Sequence, residues 1–252
     1  MAVKGLDLFK EHFQGDQDKY VLIGGAACYL VMDEVGLDFR ATKDLDIVLC
    51  VEAIEPAFAK KFWDFVRQGK YETQQKSTGK KQFYRFMKPK NPAFPFMLEL
   101  FSRQPDGVLL EGETHLTPLP IDADASSLSA ILMDDHYYDL LLKGRTEVDD
   151  VCVLQPGLIV VFKAKAWLDL TERRKSGEEV KGTDIKKHKN DVFRLFQLLS
   201  PAHRIELPDE IKADMRQFIE AVRLEAPNLR DLNIRGATAE DALSAFKEIY
   251  QL

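Results

Sequence analysis

The chain has 252 residues and only three cysteines, Cys28, Cys50 and Cys152. They are odd in number and widely spaced, so they form neither a zinc-binding spacing nor a disulfide framework. With so little cysteine, a reducing cytoplasm is the expected compartment. No apolar run approaches the ~20 residues that a membrane helix requires, so no membrane association is expected. The opening segment from Met1 to Gln14 contains Lys4, Asp7, Lys10 and Glu11 and does not read as a signal peptide. Positive charge is not in excess either. There are 35 Lys+Arg against 41 Asp+Glu, a net charge of -6, which argues against a protein that coats nucleic acid by bulk charge. The sequence has no Gly-x-Ser-x-Gly, no Gly-x-x-x-x-Gly-Lys-Ser/Thr and no His-Glu-x-x-His, which removes three common enzyme classes. Its five histidines are scattered, and His136, in Asp134-Asp135-His136, reads as part of a turn between strands. No internal repeat or low-complexity tract is visible.

What is present suffices for a packed core, because 45% of the residues are hydrophobic. Leu6 to Gln14 reads as a short helix. Tyr20 to Ile23 reads as a strand that ends at Gly24-Gly25, followed by a helix from Ala26 to Val35 with Gly36 at its C-terminus. Asp44 to Leu49 reads as a strand with one polar end. Glu55 to Gln68 has apolar residues at helical spacing. Gln82 to Met87 and Phe94 to Phe101 read as strands around the turn Lys88-Pro-Lys-Asn-Pro92. Further strands are expected at Leu116 to Leu119, Ile131 to Met133, Tyr137 to Leu142 and Val151 to Leu154. After Pro156 the pattern turns helical: Gly157 to Arg174, Thr183 to Leu199, Asp209 to Arg223, with Asp209 as N-cap, and Thr238 to Tyr250, with Thr238 as N-cap. The charged stretch Glu172 to Lys181 reads as a mobile interhelix loop. The expected organisation is an α+β domain over 1–153 and a helical domain over 154–252.

The most informative stretch is Gly24-Gly25 followed by Arg40-Ala-Thr42-Lys-Asp44-Leu-Asp46. Side chains alternate along a strand, so Asp44 and Asp46 point the same way. Two carboxylates on one face repel unless a cation lies between them, and hard oxygen donors suit Mg²⁺. Glycines that end a strand and open a helix let backbone amides approach an anion such as phosphate. Either piece alone is ordinary, since Gly-Gly is usually a turn and Asp-x-Asp a solvated strand face. Their order is what makes a site of them.

Strand, Gly-Gly, helix, then Asp-Leu-Asp on the next strand resembles the nucleotidyltransferase superfamily that includes DNA polymerase β. The form Arg40-x-Thr42-x-Asp44-Leu-Asp46 is most similar to the AbiEii/AbiGii toxin-like nucleotidyltransferases. The resemblance implies a mixed sheet with flanking helices followed by a C-terminal helical domain. It also implies a third acid on a later strand. Glu99 in Phe96-Met-Leu-Glu99-Leu-Phe fills that place, with Asp106 and Asp122 as weaker candidates, and its plainer reading is a salt bridge to Arg40 or Arg103. Catalytic residues implied are Asp44, Asp46, Glu99, Lys163 and Asp191. Mg²⁺ would be held by Asp44, Asp46 and Glu99. Nucleotide contacts would come from Gly24, Gly25, Arg40, Thr42, Lys163 and Lys165. Lys163 and Lys165 compete for one role, because two residues along a helix they face different ways.

Asp184, Lys187, His188 and Asp191 fall at i, i+3, i+4 and i+7 and share a helix face, which is either a functional stripe or a solvated one. Two departures from the family pattern stand out. Ala26-Ala27 replaces the hydroxyl residue usual after the glycines, and the interhelix stretch is long. The implied activity is Mg-dependent transfer of NMP from an NTP to an acceptor hydroxyl. The acceptor stays open between RNA, tRNA included, and a small molecule such as an antibiotic. The implied partners are the NTP, that acceptor and, for a toxin of a toxin–antitoxin or phage-defence system, an antitoxin protein. An inactive binding or regulatory module is the alternative. Residues 163–194 hold ten Lys/Arg and six Asp/Glu, a local +4 suited to a polyanion or to a solvated helix pair.

Overall fold

The computed structural model describes residues 3–50, 56–71, 83–101, 131–132 and 134–252. The strand expected at Leu116 to Leu119, and Asp106 and Asp122, lie outside the described residues. The chain divides into two compact units. One is formed by Met1–Ala125 with Arg145–Leu154, the other by Ser126–Gly144 with Gln155–Leu252. The fold is α+β: a mixed sheet with helices in the first unit, and helices in the second.

The first unit holds α1 (Leu6–His12), β1 (Tyr20–Ile23), α2 (Gly24–Asp33), β2 (Asp44–Leu49), α3 (Pro56–Gly69), β3 (Phe83–Met87) and β4 (Met97–Phe101). After an excursion into the other unit, the chain returns as β5 (Arg145–Val148) and β6 (Val151–Leu154). The six strands are ordered β3-β4-β2-β1-β6-β5. β1 runs antiparallel to β2 and parallel to β6, while β2 runs parallel to β4. β1 and β6 are buried at every position, which is why both read as unbroken apolar runs without alternation. α3 is amphipathic as its spacing predicts, with Phe58, Phe62, Phe65 and Val66 buried. These rings join Phe9 and Phe13 of the α1 segment in an aromatic cluster, Phe13–Phe65 at 5.4 Å and Phe9–Tyr20 at 5.2 Å between centroids. Gly36 has φ +72°, and the Gly36 and Leu37 amides donate to Asp33 and Met32, a left-handed stop after α2. β5 was not expected. It pairs with β6 through a two-residue turn in which Asp149 and Asp150 both have positive φ, the geometry of a type I′ hairpin.

The second unit holds α4 (Asp135–Lys143), α5 (Pro156–Lys175), α6 (Gly182–Leu195), α7 (Asp209–Arg223) and α8 (Ala239–Ile249), with short 3₁₀ turns at Phe196–Leu198 and Leu229–Leu232. The strand expected at Tyr137 to Leu142 is a helix. Asp134 caps it by accepting from the amides of His136 and Tyr137, so His136 sits in a helical first turn. Tyr137, Tyr138, Leu140 and Leu141 then fall at i, i+1, i+3 and i+4 on one buried face. Of the neighbouring strand expected at Ile131 to Met133, Ile131 is helical, Leu132 lies in a turn and Met133 is outside the described residues.

α5 opens on Pro156, and every residue from Gly157 to Ala164 is buried. Trp167 meets Phe218 of α7 edge-on at 5.4 Å, and the Tyr250 hydroxyl donates to the Gly157 carbonyl at 2.6 Å. α5 continues to Lys175, so the charged interhelix link is shorter than its sequence suggested, and Arg173 pairs across it with Glu178 at 2.7 Å. Pro208, not Asp209, occupies the N-cap of α7, and Asp209 and Glu210 lie in its first turn, where they complement the helix dipole. Thr238 caps α8 in a reciprocal box with Asp241. All three cysteines are buried thiols outside any disulfide, and burial pushes the Cys152 thiol from its ordinary 9.0 up to about 12. Among the described residues, no helix is long and apolar enough to cross a membrane.

Candidate functional site

In the first unit, β1 passes into α2 with no intervening residue, and the two glycines form that junction. Gly24 has φ +69°. A Cβ there would overlap the carboxylate of Asp46, and a Cβ on Gly25 would lie 2.6 Å from Oγ1 of Thr42. Both positions are therefore closed to a side chain by residues from the segment that leads into and along β2. The sequence suggested that these glycines leave room for a ligand. Their immediate neighbours are instead the Asp46 carboxylate and the Thr42 hydroxyl. α2 has no side-chain cap of its own, so an acid and a hydroxyl stand at the positive end of a helix. This also accounts for Ala26-Ala27. Both residues are fully buried, and the hydroxyl beside the glycine turn comes from Thr42.

The β2 register carries the rest. Ile23 is opposite Asp46 across β1 and β2, and Asp46 is opposite Glu99 across β2 and β4. Strand neighbours in register project to the same side, so Asp44, Asp46 and Glu99 share one face of the sheet. Leu45 and Ile47 alternate to the other side and are buried. Asp44 and Asp46 are half-buried, whereas Glu99 is 6% exposed. The Arg40 guanidinium lies over the Phe39 ring at 5.1 Å, and its Nη1 approaches the Ala41 carbonyl at 3.4 Å. Among the described residues, no group of three or more His, Cys, Asp or Glu is gathered as a metal cage. The donor chemistry still suits a hard cation. Two carboxylates on one strand face are the share a protein commonly gives Mg²⁺ when phosphates complete the shell.

In the second unit, Lys163 of α5 and Asp191 of α6 form an ion pair at 3.1 Å, with side chains 1% and 0% exposed. Arg194 reaches the other oxygen of Asp191 at 3.4 Å. Lys165 points elsewhere. It donates to Asp214 of α7 at 2.8 Å and lies 5.8 Å over the Tyr137 ring, while the Tyr137 hydroxyl donates to the second Asp214 oxygen at 2.9 Å. Burial, reinforced by the neighbouring Asp214, raises the Tyr137 pKa. The polar stripe of α6 divides, with Asp184 and Lys187 exposed and His188 and Asp191 buried.

Sequence reasoning did not single out Arg194, whose spacing of three from Asp191 was the available signal. It also missed Asp214 and Tyr137, which carry no local sign of their role toward Lys165. No family model matches the chain, and no curated protein matches it. Among solved structures, the chain is similar to an antigenic nucleotidyltransferase-like protein from Paracoccidioides brasiliensis, at 17% sequence identity and a TM-score of 0.48, over 97% of this chain and 94% of that one. A likeness of that degree fixes no activity.

Proposed function

We propose that the chain is a nucleotidyltransferase. An acceptor hydroxyl oxygen bonds to the α-phosphorus of an NTP, the bond to the bridging oxygen breaks, pyrophosphate leaves, and the hydroxyl proton passes to a carboxylate of the Asp44, Asp46 and Glu99 set. The observation that carries this reading is the interlock of Gly24 with Asp46 and of Gly25 with Thr42, which puts an acid, a hydroxyl and a helix N-terminus together. The first-turn amides of α2 and the Thr42 hydroxyl are donors suited to phosphate oxygens. Asp44 and Asp46, with Glu99 as third acid, would hold Mg²⁺, which supplies charge neutralisation for the phosphates. Lys163 and Asp191 are proposed for phosphate contact and for orienting the acceptor; in the second unit they are paired with one another. Lys165 is engaged by Asp214 as Lys163 is by Asp191, so both lysines stay candidates for nucleotide contact. RNA, tRNA included, is the proposed acceptor class.

The test is incubation with each labelled NTP, Mg²⁺ and total RNA, followed by identification of the labelled product. The double variant Asp44→Ala, Asp46→Ala is expected to lose on the order of 10²–10⁴-fold in transfer. Full retention would sink the mechanism, and a labelled small molecule would replace RNA as acceptor. A toxin role predicts growth arrest on expression, relieved by an adjacent gene product acting as antitoxin. Absence of arrest removes that role and leaves transfer standing. One observation favours the alternative of a regulatory module without turnover: Lys163 is closed against Asp191. Turnover, rather than NTP binding, separates the two.

A further inference from the structure

Two lysines of α5 differ in access. The Lys165 side chain is 32% exposed, against 1% for Lys163, so a ligand arriving from solvent reaches Lys165 without unpacking a helix. An ammonium carries three N–H donors. Lys165 gives one to Asp214 Oδ1 at 2.8 Å and, among the described residues, makes no other hydrogen bond or ion pair. Its nitrogen lies 5.8 Å from the centroid of the Tyr137 ring, a cation–π contact that needs no N–H bond to an acceptor atom. Two donors are therefore left for an occupant.

Three helices fix where that ammonium sits. Asp214 of α7 binds Lys165 of α5 with one oxygen and accepts from the Tyr137 hydroxyl of α4 with the other, at 2.9 Å. The carboxylate cannot rotate without breaking one of the two bonds. Tyr137 is buried and meets Phe162 edge-on at 5.4 Å, which holds its ring. Its raised pKa keeps the hydroxyl protonated, and so a donor. An ordinary exposed ion pair loses side-chain entropy when two long chains are held together, and gains little. Here the buried phenol already holds the carboxylate, and the lysine is placed before any ligand binds, which lowers the ordering cost of binding. We propose that Lys165 contacts a phosphate of the NTP, and that Asp214 and Tyr137 are the positioning residues that aim it. The proposal rests on the transferase reading and chooses between its two lysines. Closely spaced anionic oxygens, as on phosphate, suit two N⁺–H donors at a fixed point.

Calorimetric titration with each NTP and Mg²⁺, without acceptor, reads the contact. Lys165→Met should bind nucleotide about tenfold or more weakly, the loss expected for a hydrogen bond between charged groups. Tyr137→Phe deletes only the hydroxyl and should weaken binding about threefold. Lys165→Met/Tyr137→Phe should bind no more weakly than Lys165→Met, because no ammonium is left to aim. Arg216→Met removes an exposed cation from the helix that carries Asp214 and should bind like the parent. In transfer assays the losses should fall on KM for the NTP, with kcat little changed. Thermal unfolding identifies the temperature at which every variant is folded, and the titrations are compared there. Parent-like binding by Lys165→Met or by Tyr137→Phe, or equal weakening in Arg216→Met, overturns the proposal and leaves the trio as a clamp between helices. A Tyr137→Phe loss that adds to that of Lys165→Met overturns the positioning role. A parent that binds NTP but transfers none removes the transferase reading alone, since the titrations still decide Lys165. A parent that binds no NTP overturns both.

Discussion

Gly24 is bound by two separate constraints, and the glycine beyond the other end of α2 offers the comparison that separates them. Its φ is +69°, and the Asp46 carboxylate occupies the space a Cβ would need. Gly36 has a similar φ of +72° with nothing within 4 Å. Left-handed backbone costs an alanine about 1–2 kcal/mol, so Gly36→Ala should destabilise by about that amount. Gly24→Ala must also displace Asp46 and should cost about 3 kcal/mol or more, the backbone cost plus an overpacking cost of similar size. Urea denaturation of the two variants checks the difference; equal costs would mean that Asp46 is not held against the turn. Much of this was legible in the residues. Alternation alone put Asp44 and Asp46 on one face, and an acid inside an apolar strand marked Glu99. That Asp46 and Thr42 fill the space beside the glycines was not legible, because it depends on the β1–β2 register and on the path of the intervening segment.

Between elements, the Lys163–Asp191 pair joins α5 to α6. Taking two charges out of water is costly, and removing one partner leaves the other buried alone, at about 3–5 kcal/mol. Lys163→Met should therefore destabilise by that much. Lys163→Met/Asp191→Leu should recover most of the loss, since replacing both charges with apolar groups is often near neutral. Thermal unfolding reads the stabilities. A double variant that folds like the parent but transfers no nucleotide assigns the pair to chemistry; one that retains transfer assigns it to packing. Long helices were read well from sequence because their apolar periods and end signals agree, as at Asp209–Arg223 and Thr238. α4 was misread because Tyr137-Tyr138 and the following leucines favour a strand by residue type, and the Asp134 cap decided otherwise. β5 was missed because Arg145-Thr-Glu-Val148 has too little apolar character, and its turn uses Asp-Asp where Asn-Gly is the usual signal.

At the scale of the molecule, the sheet is completed by a stretch distant in sequence. The chain leaves the first unit, builds α4 in the second, and returns for β5 and β6 before leaving again. A fragment of residues 1–144 lacks both strands, so the hydrogen-bonding edge of β1 that β6 covers is left open. A fragment of residues 1–154 includes them. The shorter fragment should aggregate faster, as read by light scattering at equal concentration; equal behaviour would show that β6 does not protect that edge. The bulk charge of -6 was a poor guide at this scale. It averages an acidic remainder with a basic stretch, and the Lys163–Asp191 closure is not visible in a sum.

The same chain path sets a timetable on the ribosome. β1 and β2 are available to pair once residue 49 has emerged, but β6 follows about a hundred residues later. At roughly 5–20 residues per second, that leaves β1 open on one side for several seconds or more. During that interval the nascent chain presents an apolar strand with one unpaired edge, and α4 is synthesised before the edge can close. The half-made protein is thus a natural client for a holding chaperone, and slowing translation between α3 and β6 would lengthen its exposure.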